Sequence, residues 1–250
     1  MKLLILSDEG KAHFGLLNSV SGLEVLTPAN PAQALEMAKQ ADVIYGKPTQ
    51  ELLDAAPNVK WYQAPSAGVD FVHKMPGFAD SDVVLTNTKG AHAPSIAEHA
   101  FSLLLALTRG LPTTGDWQKQ KHWGRDAGYR MPKEIRGGTV GIIGYGAIGH
   151  AIAQIARAFG MNVRALDRHV RPGDEFAEHV DGIDELQSVL GQSDVVMVTA
   201  PYTPETHHLI DEQAFNAMKR GAYLIVVSRG GIVDEEALAK ALGWQGGRGG

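Results

Sequence analysis

The sequence contains no cysteine among its 250 residues, which excludes disulfide bridges, thiolate metal ligands and a cysteine nucleophile. This absence suits a reducing compartment, so we expect a cytoplasmic protein. The formal net charge is only −5, with a pI near 6.0, which gives no electrostatic reason to expect nucleic acid or an anionic membrane as a partner. No apolar run approaches membrane-spanning length, and the opening MKLLILS is too short for a signal sequence and predicts a first β-strand.

Predicted strands and helices alternate along the chain. Short apolar runs are separated by runs with helical spacing, which predicts a two-domain α/β fold with helices covering parallel sheets. In the first part, strands are predicted at residues 2–6, 24–26, 43–45, 61–63 and 83–86. Residues 94–108 predict a helix that is apolar on most of its surface, as is typical of a helix buried against another domain or subunit. We place the domain boundary near residue 92.

The second part has fewer predicted strands than a complete dinucleotide-binding sheet. Strands are predicted at residues 140–143, 163–166, 194–199 and 223–227, and helices near 152–159, 184–190, 212–218 and 235–242. Because such a sheet normally has about six parallel strands, we expect the last strands to be missing. After Leu242 the sequence GWQGGRGG has no periodicity and predicts a disordered tail.

A glycine-rich turn joins the strand predicted at 140–143 to the next helix. Its sequence GYGAIG places Gly144 where a tight turn is needed, Gly146 where backbone amides approach a pyrophosphate, and Gly149 where helix and strand pack closely. Asp167 ends the next predicted strand, roughly 20 residues further on, where an acid that binds ribose is expected. This ordered context predicts a dinucleotide site. The alternative is a structural turn with a solvated Asp167.

Arg229 and a pair of histidines follow the last two predicted strands. Ligands of an open α/β sheet bind beyond the carboxyl ends of the strands, so Arg229 could pair with a 2-oxo-acid carboxylate and polarise its carbonyl group. An arginine that neutralises a helix end or surface charge is an equal alternative from the Arg-Gly-Gly turn alone. His207 and His208 could act as general acids, but they precede an apolar pair and a helix cap at Asp211, which favours a structural role.

A turn of small residues follows the strand predicted at 61–63. Its sequence APSAGVD leaves backbone amides free to bind a carboxylate. From spacing alone, an ordinary strand-to-helix turn is the preferred interpretation. Four residues further along could shape substrate specificity or equally belong to an interface: Trp123, Arg125, Tyr129 and Arg130.

Together these segments resemble the D-isomer-specific 2-hydroxyacid dehydrogenases, the family of phosphoglycerate, glyoxylate/hydroxypyruvate and D-lactate dehydrogenases. The matching signatures lie at residues 66–70, 87–90 with 95–98, 140–149, 201–206 and 228–234. The resemblance implies a flavodoxin-like substrate domain over residues 1–92 and a Rossmann NAD-binding domain over residues 93–250. It also implies a small 2-oxo or 2-hydroxy acid as substrate, and a homodimer formed through the segment from Ser95 to Thr108.

Roles of single residues follow from the resemblance. It implies that Ala67 and Gly68 offer amides to the substrate carboxylate, and that Arg229 binds substrate and is the catalytic arginine. Asp167 would bind the adenosine ribose of NAD, and no metal ion is expected. The other implied cofactor-binding residues are Gly144, Tyr145, Gly146, Ala147, Ile148, Gly149, Arg168, Thr199, Ala200, Pro201, Thr206, Val227 and Ser228.

The sequence departs from the family after the turn at Arg229. Family members continue into a strand whose aspartate contacts the nicotinamide amide, then a catalytic glutamate, then a Pro-His segment that holds the general acid. None of these has a counterpart here, so we expect this chain to be truncated and inactive. Moving the reading frame of the codons for residues 243–250 by one nucleotide permits DGKVAGA, close to the family's continuation. We therefore hypothesise a frameshift in the gene or its record.

Two other functions fit parts of the sequence. A non-catalytic NAD-responsive interaction protein is one alternative, because some relatives are corepressors, although the sequence shows no docking motif. A relative of alanine dehydrogenase or adenosylhomocysteine hydrolase is disfavoured by the sequence SRGGIVD at 228–234. We expect NAD to be preferred over NADP because Asp167 repels a 2′-phosphate, an effect that the adjacent Arg168 weakens.

Overall fold

Short parallel strands build the first part of the chain. The computed structural model describes residues 1–6, 14–124 and 132–243, and the chain divides into two units, Met1–His92 and Ala93–Gly250. In the first unit, the described residues form one parallel sheet in the order β2-β1-β3-β4-β5. Its strands are β1 (Lys2–Ile5), β2 (Glu24–Leu26), β3 (Val43–Tyr45), β4 (Trp61–Gln63) and β5 (Val84–Thr86). Its helices are α1 (Pro31–Ala38), α2 (Gln50–Asp54) and α3 (Pro76–Ala79), with 3₁₀ turns at Gly15–Ser19 and Asp70–Lys74.

Polar side chains fix where the helices of the first unit begin. The Asn30 side chain accepts the Gln33 N–H at 2.9 Å, and Pro31 occupies the first position of α1, where its missing N–H has no cost. The Thr49 hydroxyl accepts the Leu52 N–H at 3.2 Å at the start of α2. Both helices therefore begin at these caps and cover the apolar face of the sheet, whose core includes the fully buried Leu4, Ile44 and Tyr62.

The hydroxyl group of Tyr62, in β4, has no hydrogen-bond partner among the described residues, although the side chain is fully buried. Burial raises the pKa of this phenol. Phenylalanine would keep the edge-on contact with Phe78, whose ring centroid is 6.0 Å away, and would remove the unpaired hydroxyl. We expect Tyr62→Phe to raise the free energy of unfolding by about 1 kcal/mol in urea denaturation. Tyr45→Phe at a half-buried position is the control, and a destabilised Tyr62→Phe would contradict the expectation.

The second unit contains a larger mixed sheet. Among the described residues its strands are β6 (Thr139–Ile143), β7 (Asn162–Leu166), β8 (Arg171–Pro172), β9 (His179–Asp181), β10 (Val195–Val198) and β11 (Tyr223–Val226), in the order β11-β10-β6-β7-β9-β8. These strands pair in parallel except for β8, which is antiparallel to β9. β6 pairs with β7 on one side and with β10 on the other. The order of the strands thus reverses at β6, and such switch points mark the ligand crevice of α/β sheets.

Six α-helices of the second unit lie in its described part. They are α4 (Ala93–Thr108), α5 (Leu111–Lys119), α6 (Ala147–Ala158), α7 (Leu186–Gln192), α8 (Glu212–Ala217) and α9 (Glu235–Ala241), with 3₁₀ turns at Ile183–Glu185 and Pro204–Thr206. α4 packs against α6, and Phe101 stacks on Phe159 with ring centroids 5.4 Å apart. Away from the buried face, Leu103, Leu107 and Leu111 are 39%, 50% and 55% exposed. The outer surface of α4 and the start of α5 is therefore apolar.

The predicted α/β fold is confirmed, and the nine predicted strands have counterparts whose bounds agree to within one residue. The sequence did not predict α5 or the hairpin β8–β9, and the expectation of an all-parallel second sheet is wrong for β8.

Of the four residues considered for substrate specificity or an interface, Trp123 is 85% exposed. Arg125, Tyr129, Arg130 and residues 244–250 of the predicted tail lie outside the described residues. Across the ranges that the structure describes, no helix has the length and apolarity needed to span a membrane.

Candidate functional site

The glycine-rich turn lies at the carboxyl end of β6, at the switch point of the sheet. Gly144 has a φ of +99°, and a Cβ there would lie 2.6 Å from the Ala200 nitrogen, so only glycine fits. A Cβ on Gly149 would lie 2.3 Å from the Gly144 carbonyl oxygen, so α6 can approach β6 this closely only without a side chain. Gly146 differs, because a Cβ there would meet no described atom within 4 Å. As far as the described residues reach, the space over Gly146 is open.

The start of α6 faces this open space. Gly146 is its N-cap, and no side chain of the described residues caps the helix. Gly146 and Ala147 are exposed and Ile148 is half-buried, so backbone N–H groups of the first turn are available to an anion. Helix N-termini of this kind bind phosphate groups through their amides and dipole. An uncapped helix start with free space above its N-cap glycine fits the pyrophosphate of a dinucleotide.

Asp167 follows β7 and is held against the glycine turn. Its Oδ2 accepts the Tyr145 N–H at 3.1 Å, and its Oδ1 accepts the Arg168 N–H at 2.7 Å. The Arg171 guanidinium lies 3.4 Å from Oδ2. The side chain of Asp167 stays 25% exposed, so the carboxylate is fixed in position and still accessible to a ribose hydroxyl.

The side chain of Tyr145 is buried in the protein. Its hydroxyl donates to Asp174 at 2.9 Å, and the His150 Nε2 lies 3.4 Å from the other oxygen of this carboxylate. Burial raises the pKa of the Tyr145 phenol, and the bond to Asp174 raises it further. Desolvation raises the pKa of Asp174, but the Phe176 and Ala177 amides and the Tyr145 hydroxyl bring it below its ordinary value. Tyr145 was predicted to bind the cofactor, but only its backbone lies at the glycine turn.

The loop after β10 packs against the glycine turn. The Thr199 hydroxyl donates to the Gly144 carbonyl oxygen at 2.5 Å, and the Ala200 N–H donates to the Ile143 carbonyl oxygen at 2.9 Å. The Thr206 hydroxyl donates to the Pro201 carbonyl oxygen at 2.8 Å, which folds the loop back on itself. The structure therefore brings the predicted residues of this loop and of the glycine turn to one edge of the sheet.

The loop after β11 continues the same edge. The Val227 N–H donates to the Val198 carbonyl oxygen at 3.1 Å, which places Ser228 next to the end of β10. The Ser228 hydroxyl is buried without a hydrogen-bond partner among the described residues, so a ligand could supply one. Arg229 is exposed, and its Nη1 donates to the Ser228 carbonyl oxygen at 3.2 Å. A cleft of about 340 Å³ lies here, lined in part by Ser228, Arg229 and Gly231.

His207 and His208 stack on each other with ring centroids 3.9 Å apart. The His207 Nδ1 lies 3.3 Å from the Tyr202 hydroxyl, and the His208 Nδ1 lies 3.7 Å from an Asp234 oxygen. The His208 N–H donates to the Gly231 carbonyl oxygen at 2.8 Å, so the pair packs against the turn after Arg229. Both rings have partners within the fold, which is consistent with the structural role favoured by the sequence.

In the first unit, the turn after β4 is held through its carbonyl groups. The Asn87 amide donates to the Ala67 carbonyl oxygen at 2.8 Å, and the Ser66 hydroxyl donates to the Gly68 carbonyl oxygen at 2.9 Å. Among the backbone hydrogen bonds of the described residues, none is donated by the N–H group of Ala67 or of Gly68. No cluster of histidine and acidic residues suited to a metal ion occurs in the described part of the chain.

Two groups at the site were not predicted from the sequence. Arg171 and Asp174 lie on the hairpin and contact Asp167 and Tyr145 across intervals of sequence that carry no motif. The only signal in the sequence that could have indicated these contacts was the presence of charged residues a few positions after Asp167.

The switch-point crevice, the uncapped start of α6 and the ordered carboxylate of Asp167 define a dinucleotide-binding domain of the Rossmann type. Residues 101–247 match the family described as D-isomer specific 2-hydroxyacid dehydrogenase, NAD binding domain. The chain belongs to the D-isomer-specific 2-hydroxyacid dehydrogenase family, and its second unit contains the family's NAD-binding domain.

Curated relatives support the same family. The chain is 35% identical over 223 residues to the glycerate dehydrogenase of Methylorubrum extorquens, a match that covers 86% of this chain and 67% of the relative. It is 28% identical over 246 residues to the D-3-phosphoglycerate dehydrogenase of Methanocaldococcus jannaschii, covering 97% of this chain and 46% of the relative. The chain thus spans about half to two thirds of the length of these relatives.

Solved structures are similar over nearly the whole chain. A D-isomer specific 2-hydroxyacid dehydrogenase family protein from Aeromonas salmonicida superimposes with a TM-score of 0.85 at 32% identity, covering 96% of this chain and 77% of that one. The D-lactate dehydrogenase of Aquifex aeolicus, in complex with NAD and lactic acid, superimposes with a TM-score of 0.77 at 29% identity, covering 97% and 73%.

Proposed function

We propose that the protein binds NADH and a small 2-oxo acid at the sites predicted above, and that the family reaction here is reduction of that acid to a D-2-hydroxy acid. The observation that carries the proposal is the open, uncapped start of α6 beside the fixed carboxylate of Asp167. The names of the relatives, among them glyoxylate reductase and hydroxypyruvate reductase, support a short 2-oxo acid as substrate. The lack of cysteine supports a cytoplasmic location.

Each proposed residue has a defined task. Amides of Ala147 and Ile148 would hold the pyrophosphate, and Asp167 would accept hydrogen bonds from the adenosine ribose. NADH, when bound, supplies the hydride. Arg229 would pair with the substrate carboxylate and stabilise the negative charge that develops on the carbonyl oxygen. The amides of Ala67 and Gly68 would also donate to a substrate carboxylate.

We expect little or no turnover by the 250-residue polypeptide, because the family's catalytic glutamate and histidine have no counterpart in this sequence. His207 and His208 already contact Tyr202 and Asp234. Loss of a positioned general acid typically costs about 10²–10⁴ in rate. A pull-down with and without NADH tests the alternative of a non-catalytic NAD-responsive interaction protein, which predicts a protein partner whose capture depends on NADH.

The test combines binding with turnover. NADH and NADPH are titrated by fluorescence, and NADH oxidation is followed by absorbance over a panel of 2-oxo acids. We expect NADH to bind more tightly than NADPH, and Arg229→Ala to lower any residual kcat while raising KM. Arg220→Ala is the matched control, because Arg220 is an exposed arginine just before β11 while Arg229 comes just after it. Failure to bind either dinucleotide would refute the proposal, and robust turnover would show that the proton has another donor.

The proposal includes a homodimer formed through the segment from Ser95 to Thr108. Its support is the apolar surface of α4 and the start of α5, where Leu103, Leu107 and Leu111 are exposed. Exposed apolar residues grouped on one surface are typical of subunit interfaces. Sedimentation equilibrium at several protein concentrations tests this part of the proposal, and a monomer at all concentrations would contradict it.

A further inference from the structure

Arg171 connects the glycine turn with the acid proposed to bind ribose. Its Nη2 donates to the Tyr145 carbonyl oxygen at 2.6 Å, and its Nη1 lies 3.4 Å from Oδ2 of Asp167. The guanidinium carbon also lies 5.8 Å from the centroid of the Tyr145 ring. The Arg171 side chain is 42% exposed, so the guanidinium can still reach a ligand that contacts Asp167.

Charged groups of both signs lie around the glycine turn. The Arg171 guanidinium is 3.4 Å from the Asp167 carboxylate, and Arg168 acts electrostatically on Glu205. The Glu205 backbone N–H and the Thr203 hydroxyl lower the pKa of the Glu205 carboxyl, and the charge of Arg168 lowers it as well. Arg168 is thus shared with Glu205, whereas Arg171 directly faces Asp167. Removing the charge of Arg171 would leave the carboxylate of Asp167 without the guanidinium that faces it.

The pairing of Arg171 with Asp167 affects which dinucleotide the site accepts. A phosphate monoester carries roughly −1.5 to −2 charges near pH 7, and a carboxylate at the 2′ position repels it. A guanidinium offsets this repulsion and offers N–H donors that match phosphate geometry. We propose that Arg171 is a specificity-determining residue that weakens the discrimination of this site against 2′-phosphorylated dinucleotides. The inference rests on the proposed function in one respect, namely that Asp167 contacts the adenosine ribose.

Arg171 also anchors the hairpin β8–β9, so loss of binding alone would not separate specificity from structure. Arg164, on β7, provides the matched control. Its Nη2 donates to Asp181 of β9 at 2.8 Å and its Nη1 donates to Gln192, so it anchors the same hairpin through a different carboxylate. A purely structural role predicts that the affinities for NADH and NADPH fall together. A role in specificity predicts that their ratio changes.

The experiment measures dissociation constants for NADH and NADPH by fluorescence titration of the 250-residue protein and its variants. We expect Arg171→Gln and Arg171→Met to raise the ratio of the NADPH constant to the NADH constant about tenfold, the loss of one charge-assisted contact. Arg171→Met keeps the aliphatic part of the side chain against Tyr145. Arg171→Lys, which keeps the charge, should stay near the wild-type ratio, and Arg164→Gln should leave it unchanged. Thermal unfolding without ligand identifies any variant that does not fold.

The possible outcomes separate this inference from the proposed function. If the wild type binds both dinucleotides and the ratio is the same in both charge-removing variants, the inference is wrong and the dinucleotide site stands. The same holds if Arg164→Gln shifts the ratio as much as Arg171→Gln. If the wild type binds neither dinucleotide, the inference and the dinucleotide site are both overturned. A ratio that rises only when the charge at 171 is removed supports the inference.

Discussion

The Gly146→Val variant is expected to bind NADH at least roughly 100-fold more weakly than the wild type, about 2.7 kcal/mol, while it keeps its fold. Gly146 has φ −86° and ψ −159°, an extended conformation that any residue adopts. A Cβ there would meet no described atom of the protein within 4 Å, so the chain itself has room for a side chain. That room is the space in which we place the pyrophosphate, and a branched side chain would fill it.

The measurement pairs NADH fluorescence titration with urea denaturation. The free energy of unfolding should fall by no more than about 1 kcal/mol, since valine is a poorer N-cap than glycine. Gly115→Val is the control, because Gly115 lies in α5 and a Cβ at this position would also meet no described atom within 4 Å. It should leave NADH binding unchanged. Wild-type affinity in Gly146→Val would show that the turn is structural and holds no ligand.

The glycine turn and Asp167 could be predicted from the sequence because their requirements are local. A buried strand, a turn that only glycine can make and a following helix are adjacent in the chain, and an acid ends the next strand. The neighbours that restrict Gly149 are Gly144 and Ile142, in the same unit of strand, turn and helix. The neighbour that restricts Gly144 is Ala200, just after the adjacent strand β10. Nearly all strands of both sheets were predicted for a similar reason, since each is a short apolar run.

The hairpin β8–β9 could not be predicted because its stability depends on distant residues. β8 has only two residues, one of them proline, and shows no apolar alternation. Its position is fixed by Arg171 against Asp167 and by Asp174 against the Tyr145 hydroxyl, a residue 29 positions earlier. For the same reason, no local pattern indicated that Tyr145 directs its ring into the protein. Contacts of this kind become visible only when the strands are assembled.

Helix α5 was missed because its local signals oppose a helix. Its sequence LPTTGDWQK contains a proline and a glycine, both of which lower helix propensity. The proline lies in the first turn, where its missing N–H leaves no hydrogen bond unmade, and the N-cap of the helix is Gly110, with φ +65°. The place of the proline within α5 therefore matters more than the average helix propensity of the segment. The sequence alone did not show where the helix begins.

Replacing Gly149 with alanine is expected to reverse the usual effect of this substitution. In a helix interior, alanine is normally about 0.5–1 kcal/mol more stabilising than glycine. Here the added Cβ would lie 2.3 Å from the Gly144 carbonyl oxygen and 3.2 Å from a methyl carbon of Ile142. Because the first of these neighbours is backbone, the clash can be relieved only if α6 moves away from β6. That movement would loosen the packing of Ile152 and Ala153, which are fully buried.

We therefore expect Gly149→Ala to lower the free energy of unfolding by roughly 2–3 kcal/mol. Gly191→Ala is the matched control, since Gly191 lies in α7 and a Cβ there would have one neighbour, at an ordinary 3.4 Å. The control should be stabilised by about 0.5–1 kcal/mol, so the two substitutions differ in sign. Urea denaturation of both variants measures the difference. If Gly149→Ala is as stable as the control, α6 does not need glycine to approach β6. The close contact described between the helix and the turn would then be wrong.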